Sequence, residues 1–323
     1  MIRRVLIPLD GSELAEQVIP HLLRFVAPER TELLLMTALS SFILPSLKNA
    51  IRPLASEQTA ISHEDEVSER LLEVAQQLNQ NGFRVESKCL AGIPAESILR
   101  LAEEAYVNLI AMSTHGRTGL GLTLLGSVAD EVVRNARPPV FLVPARIAVQ
   151  SDSLPRTILL PLDGTPLAEA AIPAARQFAQ DMGAMIRLVR VVDPYDAENA
   201  GDGLTTGQVF SDLDNTEGQP IIRQAVCYLE RIRLRLQLAG ITCRYHVTAG
   251  GPADSIVRIA HAESADLIVM STHGRTGVER MVYGSVVSQV ISTTTCPLLL
   301  MRGKALVEAY ERGDNAVFAK SSG

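Results

Sequence analysis

The sequence predicts an α/β protein of two tandem domains, each a mostly parallel sheet of five strands flanked by helices. Three observations predict it. The stretch Ser113-Thr114-His115-Gly116-Arg117-Thr118-Gly119 returns as Ser271-Thr272-His273-Gly274-Arg275-Thr276-Gly277. Continuously apolar runs alternate with helical periodicity in both halves, the pattern of parallel strands buried on both faces. A chain of 323 residues also exceeds one core at roughly 150 residues per domain.

The first strand is Val5-Leu6-Ile7-Pro8-Leu9-Asp10-Gly11, repeated as Ile158-Leu159-Leu160-Pro161-Leu162-Asp163-Gly164. Helices are expected from about Ser12 to Ala27 and Thr165 to Met182, with Thr165 as N-cap and Pro166 at the first helical position. Second strands follow at Glu32 to Thr37 and Ile186 to Val192. The copies then diverge into loops, one carrying Phe42-Ile43-Leu44-Pro45, the other Gly201, Gly203 and Gly207. Ser62-His63-Glu64-Asp65 resembles a capping box for a helix running to Gly82, and its counterpart ends at Gly240. Third strands, near Arg84 to Leu90 and Thr242 to Val247, precede helices that open at Pro94 and Pro252.

Fourth strands, Leu109 to Met112 and Leu267 to Met270, run into the repeated heptapeptide. A helix follows each Gly-Ser pair, Gly126-Ser127 and Gly284-Ser285. Fifth strands lie at Val140 to Val143 and Pro297 to Met301. Asp163 minus Asp10 is 153, whereas Pro252 minus Pro94, Gly274 minus Gly116 and Gly284 minus Gly126 are each 158. One duplication with a net insertion of five residues before the Gly-Pro motifs accounts for both offsets. The domains are expected over 1–147 and 156–303, joined by a polar linker from Pro144 to Pro155. A tail over 304–323 carries a short helix near Ala305 to Arg312 and a disordered Ser-Ser-Gly end.

Composition narrows the function. Hydrophobic residues at 47% and charged residues at 20% describe a soluble globular chain, and a net charge of -6 argues against nucleic acid as partner. Trp is absent and aromatics make up 4%, so stacking platforms for single strands are not expected. The N-terminal apolar run stops at Asp10, and no run is long enough for a membrane span. Cys89, Cys227, Cys243 and Cys296 form no CxxC pair and no metal cluster, which fits reduced thiols and a cytoplasmic location.

The loop between fourth strand and helix can present backbone N–H groups to an anion at a helix N-terminus. Arg and His can donate to phosphate oxygens, and an Asp at a strand end can accept from ribose hydroxyls. Each residue also has a plainer role. Ser127 could cap its helix, Asp10 and Asp163 could serve the turn before glycine, and His115 and His273 could donate to a loop carbonyl. No GxxxxGK[ST] loop is present, and Gly119-Leu120-Gly121 lacks the third glycine of GxGxxG.

In this arrangement the chain resembles a tandem universal stress protein over both halves, from Met1 to about Arg302. The family's pattern is Gly, two residues, Gly, nine residues, Gly, then Ser or Thr. Gly116, Gly126 and Ser127 match it, as do Gly274, Gly284 and Ser285, while Ser113 and Ser271 stand where the first glycine belongs. The resemblance implies Rossmann-like domains of the adenine nucleotide alpha hydrolase-like type that bind ATP, with Mg²⁺ arriving on the nucleotide. It assigns Pro8, Asp10, Pro161 and Asp163 to the adenosine end, and Thr37 and Val191 to packing on adenine. Met112, Ser113, Met270 and Ser271 line the strand ends. The phosphates fall to His115, Gly116, Arg117, Gly126, Ser127 and Val128, and to His273, Gly274, Arg275, Gly284, Ser285 and Val286.

No residue stands out as a general base, so a stress-response regulator with at most slow ATP hydrolysis is expected. The alternative is an interaction scaffold with vestigial crevices, for which the serines replacing glycine and the apolar Phe42-Ile43-Leu44 speak. The two sites are expected to differ in affinity, since Thr37 faces Val191 in the comparison and Gly121-Leu122-Thr123 faces Glu279-Arg280-Met281. In the family, domains pair through fifth strands. An intrachain pseudo-dimer is therefore implied, with a protein partner and further homodimerisation left open.

Overall fold

A computed structural model describes residues 2–39, 57–115, 125–145, 147, 154–195, 209–210, 219–272 and 284–302, with side chains described outside 57–64 and 209. The chain divides into two units, the first ending at residue 149. Readings that fall on 40–56, 116–124, most of 196–218, 273–283 and the tail from 303 lie outside the described residues.

In the first half the elements run β1 (Arg4–Pro8), α1 (Glu13–Glu16), α2 (Val18–Leu23), β2 (Glu32–Leu39), α3 (Glu57–Gln80), β3 (Arg84–Ala91), α4 (Pro94–Glu104), β4 (Leu109–Ser113), α5 (Ser127–Asn135) and β5 (Val140–Val143). The strands lie parallel in the order β3-β2-β1-β4-β5. The second half repeats this with β6 (Thr157–Pro161), α6 (Pro166–Glu169), α7 (Ile172–Met182), β7 (Met185–Val192), β8 (Val209–Phe210), α8 (Pro220–Leu238), β9 (Cys243–Ala249), α9 (Pro252–Ala262), β10 (Leu267–Ser271), α10 (Ser285–Thr293) and β11 (Leu298–Met301). Its order is β11-β10-β6-β7-β9-β8, parallel except for β8. This is the predicted fold, and continuous apolarity explains it. Val5, Leu6, Ile7, Leu109, Ile110, Ala111, Ile158, Leu159, Leu160, Leu267, Ile268 and Val269 are buried, as strands covered on both faces must be.

Strand starts are tied by a device common to both halves. Asn108 Oδ1 accepts from the backbone N–H groups of Arg3 and Arg4 at 3.0 Å each, and Asp266 Oδ2 accepts from Arg156 and Thr157 at 2.8 and 3.1 Å. Pro94 and Pro252 open their helices as expected. Among the described residues no helix is long and apolar enough to cross a membrane.

Three local expectations change. The first helix of each half is broken, at Gln17 and at Ala170-Ala171. Pro20 and Pro173 cause it, because a proline lacks the N–H for the bond to the carbonyl four residues back and its ring crowds that carbonyl. Both are tolerated only in the first turn of a new helix. Helix α3 begins at Glu57, so Ser62 falls within it and not at its start; Glu57, Gln58 and Ala60 are good helix formers. The stretch read as a loop in the second half contains β8, which pairs antiparallel with β9 at Val209↔Thr248 and Phe210↔Val247.

In each half the sheet order reverses beside the first strand. β1 lies between β2 and β4, and β6 between β7 and β10. Ligands of open parallel sheets bind outside the carboxyl ends at such a switch point.

Candidate functional site

Two turns leave the strand ends at each switch point. The first leaves β1 or β6. Asp10 Oδ1 accepts from the Ser12 N–H at 3.0 Å and the Ser12 hydroxyl at 2.6 Å, while Gly11 takes a φ of 80°. Asp163 Oδ1 does the same with Thr165, at 2.9 and 2.6 Å, and Gly164 takes 82°. Ser12 and Thr165 in turn accept from Ala15 and Ala168 N–H as N-caps of α1 and α6. The aspartates are thus pivots of their turns.

The second turn leaves β4 or β10. Thr114 N–H donates to Val143 C=O at 2.9 Å and Gly126 N–H to Thr114 C=O at 2.9 Å. Thr272, Met301 and Gly284 repeat the pattern at 2.8 and 2.9 Å. This clamp brings the far end of each loop back to its strand. Helices α5 and α10 then start with Gly126 and Gly284 as N-caps, and neither has a side-chain cap hydrogen bond. Ser127 is the first helical residue, so the reading of Ser127 as a cap is overturned. Glycine caps thus give the first-turn amides no capping side chain of their own, a donor set that suits an anion.

Ser113 and Ser271 replace glycine without strain, since neither has a positive φ. The Ser113 hydroxyl donates to the His115 carbonyl and accepts from the His115 N–H at 3.3 Å, closing a local turn. His115 Nδ1 lies 3.1 Å from Thr114 Oγ1, which also accepts from Ala145 N–H at 3.1 Å. His115 therefore has a structural partner in the loop. Gly116, Arg117, His273, Gly274 and Arg275 lie outside the described residues.

In the second half the two turns flank a crevice of about 280 Å³, near the lower end of the range for small-molecule sites. It brings together Pro161, Asp163, Val191, Met270, Ser271, Gly284, Ser285 and Val286. Sequence reasoning did not name Leu162, Ala168, Val189, Asp193, Gly250, Pro252, Ile256 or Val287, which complete its wall. Gly250 and Pro252 were visible only as a helix start. Ile256 belongs to the apolar face of α9, where nothing marks one turn as the crevice wall.

Strand register corrects one assignment. Pro8 pairs with Met36 and Pro161 with Val189, an offset of 153 on both strands. Thr37 therefore corresponds to Arg190, and Val191 to Ala38. Val189 and Val191 line the crevice, so alternation puts Arg190 on the opposite face of β7. By the same register Thr37, which is buried, lies on the far face of β2, and Met36 and Ala38 hold the places of Val189 and Val191. A one-residue slip in reading a strand exchanges its faces.

Behind the second crevice, Arg190 Cζ stands 5.3 Å from the centroid of Tyr228 on α8. Burial pushes the Tyr228 hydroxyl pKa up, Glu169 and Asp163 add to the rise, and Arg190 opposes it. Tyr228 stays neutral there.

The model described as the universal stress protein family matches this chain twice, over residues 1–144 and 155–302. A universal stress protein of Methanocaldococcus jannaschii is 32% identical over 153 residues, 47% of this chain and 84% of that protein. One from Mycobacterium tuberculosis is 28% identical over 225 residues, 68% of this chain and 69% of the other. The crystal structure of a universal stress protein from Archaeoglobus fulgidus superposes with a TM-score of 0.66 at 21% identity, covering 93% of this chain and 96% of that one, which speaks for the fold.

Proposed function

The chain belongs to the universal stress protein family, and from that premise we propose that it is a cytoplasmic, ATP-binding stress-response regulator with one nucleotide site per half. One observation carries the reading. The uncapped start of α10, at Gly284, Ser285 and Val286, opens into the same crevice as Asp163 and Val191. Such a crevice combines helix-start donors for an anion with the carboxylates of Asp163 and Asp193 and an apolar wall, groups that together suit a nucleotide.

In this reading the Asp163 carboxylate accepts from ribose hydroxyls, while Val189, Val191 and Ile256 pack on the base. The Ser285 hydroxyl and the first amides of α10 donate to phosphate, with Gly284 leaving room for their approach. Each dipole contribution at a helix start is about 0.3–1 kcal/mol when exposed, so affinity requires the set together. Met36, Ala38, Asp10, Gly126, Ser127 and Val128 form the corresponding set in the first half. Mg²⁺ would enter on the phosphates and needs no all-protein cage. No residue of this set is assigned the role of general base, so binding with at most slow hydrolysis is expected.

Isothermal titration with ATP, together with mass spectrometry of nucleotide released on denaturation, tests this. Saturable binding approaching two ATP per chain supports it. No binding at millimolar ATP would sink it and leave the scaffold reading.

A further inference from the structure

Both halves place a guanidinium near the Asp turn, but they draw it from different elements. In the first half it comes from α3. Arg70 Nε and Nη2 donate to the two carboxylate oxygens of Glu16 at 2.8 Å each, gripping α1 well past the Asp10 turn. In the second half Glu169 corresponds to Glu16, and Tyr228 corresponds to Arg70, since α3 and α8 end at Gly82 and Gly240 with the same offset of 158. A phenol cannot supply that fork. The guanidinium comes instead from β7, as Arg190.

Arg70 shares a small cavity with Gly11 of its turn, while Arg190 lies directly against Gly164 of the other. A Cβ built on Gly164 would fall 2.5 Å from Arg190 Nη1, so the guanidinium rests directly on the residue after Asp163. Its Cζ also stands over the Tyr228 ring, 5.3 Å from the centroid. A planar cation held between a ring and a turn is pre-organised in a way a flexible ammonium is not. Gly164 sits at positive φ, the part of the turn with the greatest backbone freedom, and Arg190 restricts it.

We propose that Arg190 is the positioning residue of the second site: it fixes the Asp163 turn from behind the sheet and makes this half the tighter adenosine site. It acts through the turn and touches no ligand, because its side chain lies on the face opposite Val189 and Val191. The proposal rests on the nucleotide reading above and adds which end of the nucleotide the residue governs. Thr37, at the same place in the first half, has no charge to do this.

The test is calorimetric titration of adenosine and of inorganic tripolyphosphate into wild type and Arg190→Thr. Tripolyphosphate probes the helix-start end alone. The tighter adenosine site should weaken about tenfold in Arg190→Thr, while tripolyphosphate affinity stays within about twofold. A general loss of structure would lower both together. Equal loss for the two probes, or no loss for adenosine, overturns the proposal while ATP binding by wild type leaves the nucleotide reading standing. Wild type that binds tripolyphosphate but neither adenosine nor ATP overturns both. Should Arg190→Thr not fold, Arg190→Lys keeps the charge and loses the planar stack. Weaker adenosine binding with tripolyphosphate retained then supports the proposal, and wild-type affinity for both overturns it.

Discussion

Gly126 and Gly284 occupy the same place in the two halves, each the N-cap of a helix and each held by its N–H to a threonine carbonyl at 2.9 Å. Their surroundings differ. A Cβ on Gly126 would stand 3.1 Å from the Thr114 carbonyl oxygen, whereas one on Gly284 meets nothing within 4 Å among the described residues. The same contrast recurs elsewhere. The sheet of the second half is extended by β8, while in the first half β3 is partly exposed and carries charged residues such as Glu86 and Lys88. Duplication has kept the backbone devices, namely the Asx turn, the glycine cap and the carboxamide or carboxylate that ties the first strand. Side-chain packing around them has drifted, so equal backbones do not imply equal sites.

The largest effect that would sharpen this contrast lies in the cores. Phe141 on β5 is fully buried and packs on Phe25 with ring centroids 5.5 Å apart; its place in the second half is held by Leu299. Phe141→Ala is expected to cost about 3–5 kcal/mol, and Leu299→Ala somewhat less within about 2–5 kcal/mol. Urea denaturation followed by circular dichroism reads both. A larger loss from Leu299→Ala would show that packing in the second half is the tighter, against the comparison.

The glycine caps come next. Gly284→Asp places a carboxylate beside the first amides of α10, where no described residue stands in its way, so thermal stability should hold or rise slightly while the second site loses ATP affinity by about tenfold or more. Gly126→Asp meets the Thr114 carbonyl and is expected to cost about 1–3 kcal/mol as strand and helix shift apart. Similar melting for the two variants would break the distinction between the loops. Undiminished ATP binding by Gly284→Asp would remove the helix start from the site.

Much of this arrangement was readable in the sequence because it rests on local physics. Short runs such as Leu109-Ile110-Ala111-Met112, bounded by turn residues, read as strands buried on both faces, and Pro94 and Pro252 mark helix starts because proline lacks the donor that a first turn does not need. Asp10, Gly11 and Ser12 announced a turn. What was not readable depends on which neighbour packs where. Thr37 looked like a crevice residue until pairing with β1 showed its face, since apolarity on both faces of a parallel strand erases the alternation that would have told them apart. Arg190 carried no signal, because its role comes from Gly164 and Tyr228, residues distant in sequence. Pro20 and Pro173 lie two turns inside the helices expected from Ser12 and Thr165, where a proline does signal a break.

The smallest effect concerns acid. On the face of β9 at His246, Nε2 lies 2.9 Å from Glu263 Oε1, and Arg187 pairs with the other oxygen of Glu263. Burial lowers the His246 pKa below its ordinary value, Arg187 lowers it further, and Glu263 opposes both. The folded chain thus holds this imidazole neutral, and the unfolded chain takes a proton more readily. Stability from this source is present above the unfolded value near 6.5 and is lost as pH falls through it toward the lower folded value. Lys88 holds the corresponding place in the first half, paired with Glu86 at 3.0 Å, so the device is peculiar to the second. The first half has its own buried imidazole, His21, whose pKa is likewise lowered by burial. Comparing urea midpoints at pH 7.5 and 5.5 separates them: His246→Gln should flatten the pH dependence of the second half alone, and His21→Gln that of the first. If His246→Gln leaves the drop unchanged, the imidazole of the second half is already protonated in the fold, and Glu263 outweighs burial and Arg187.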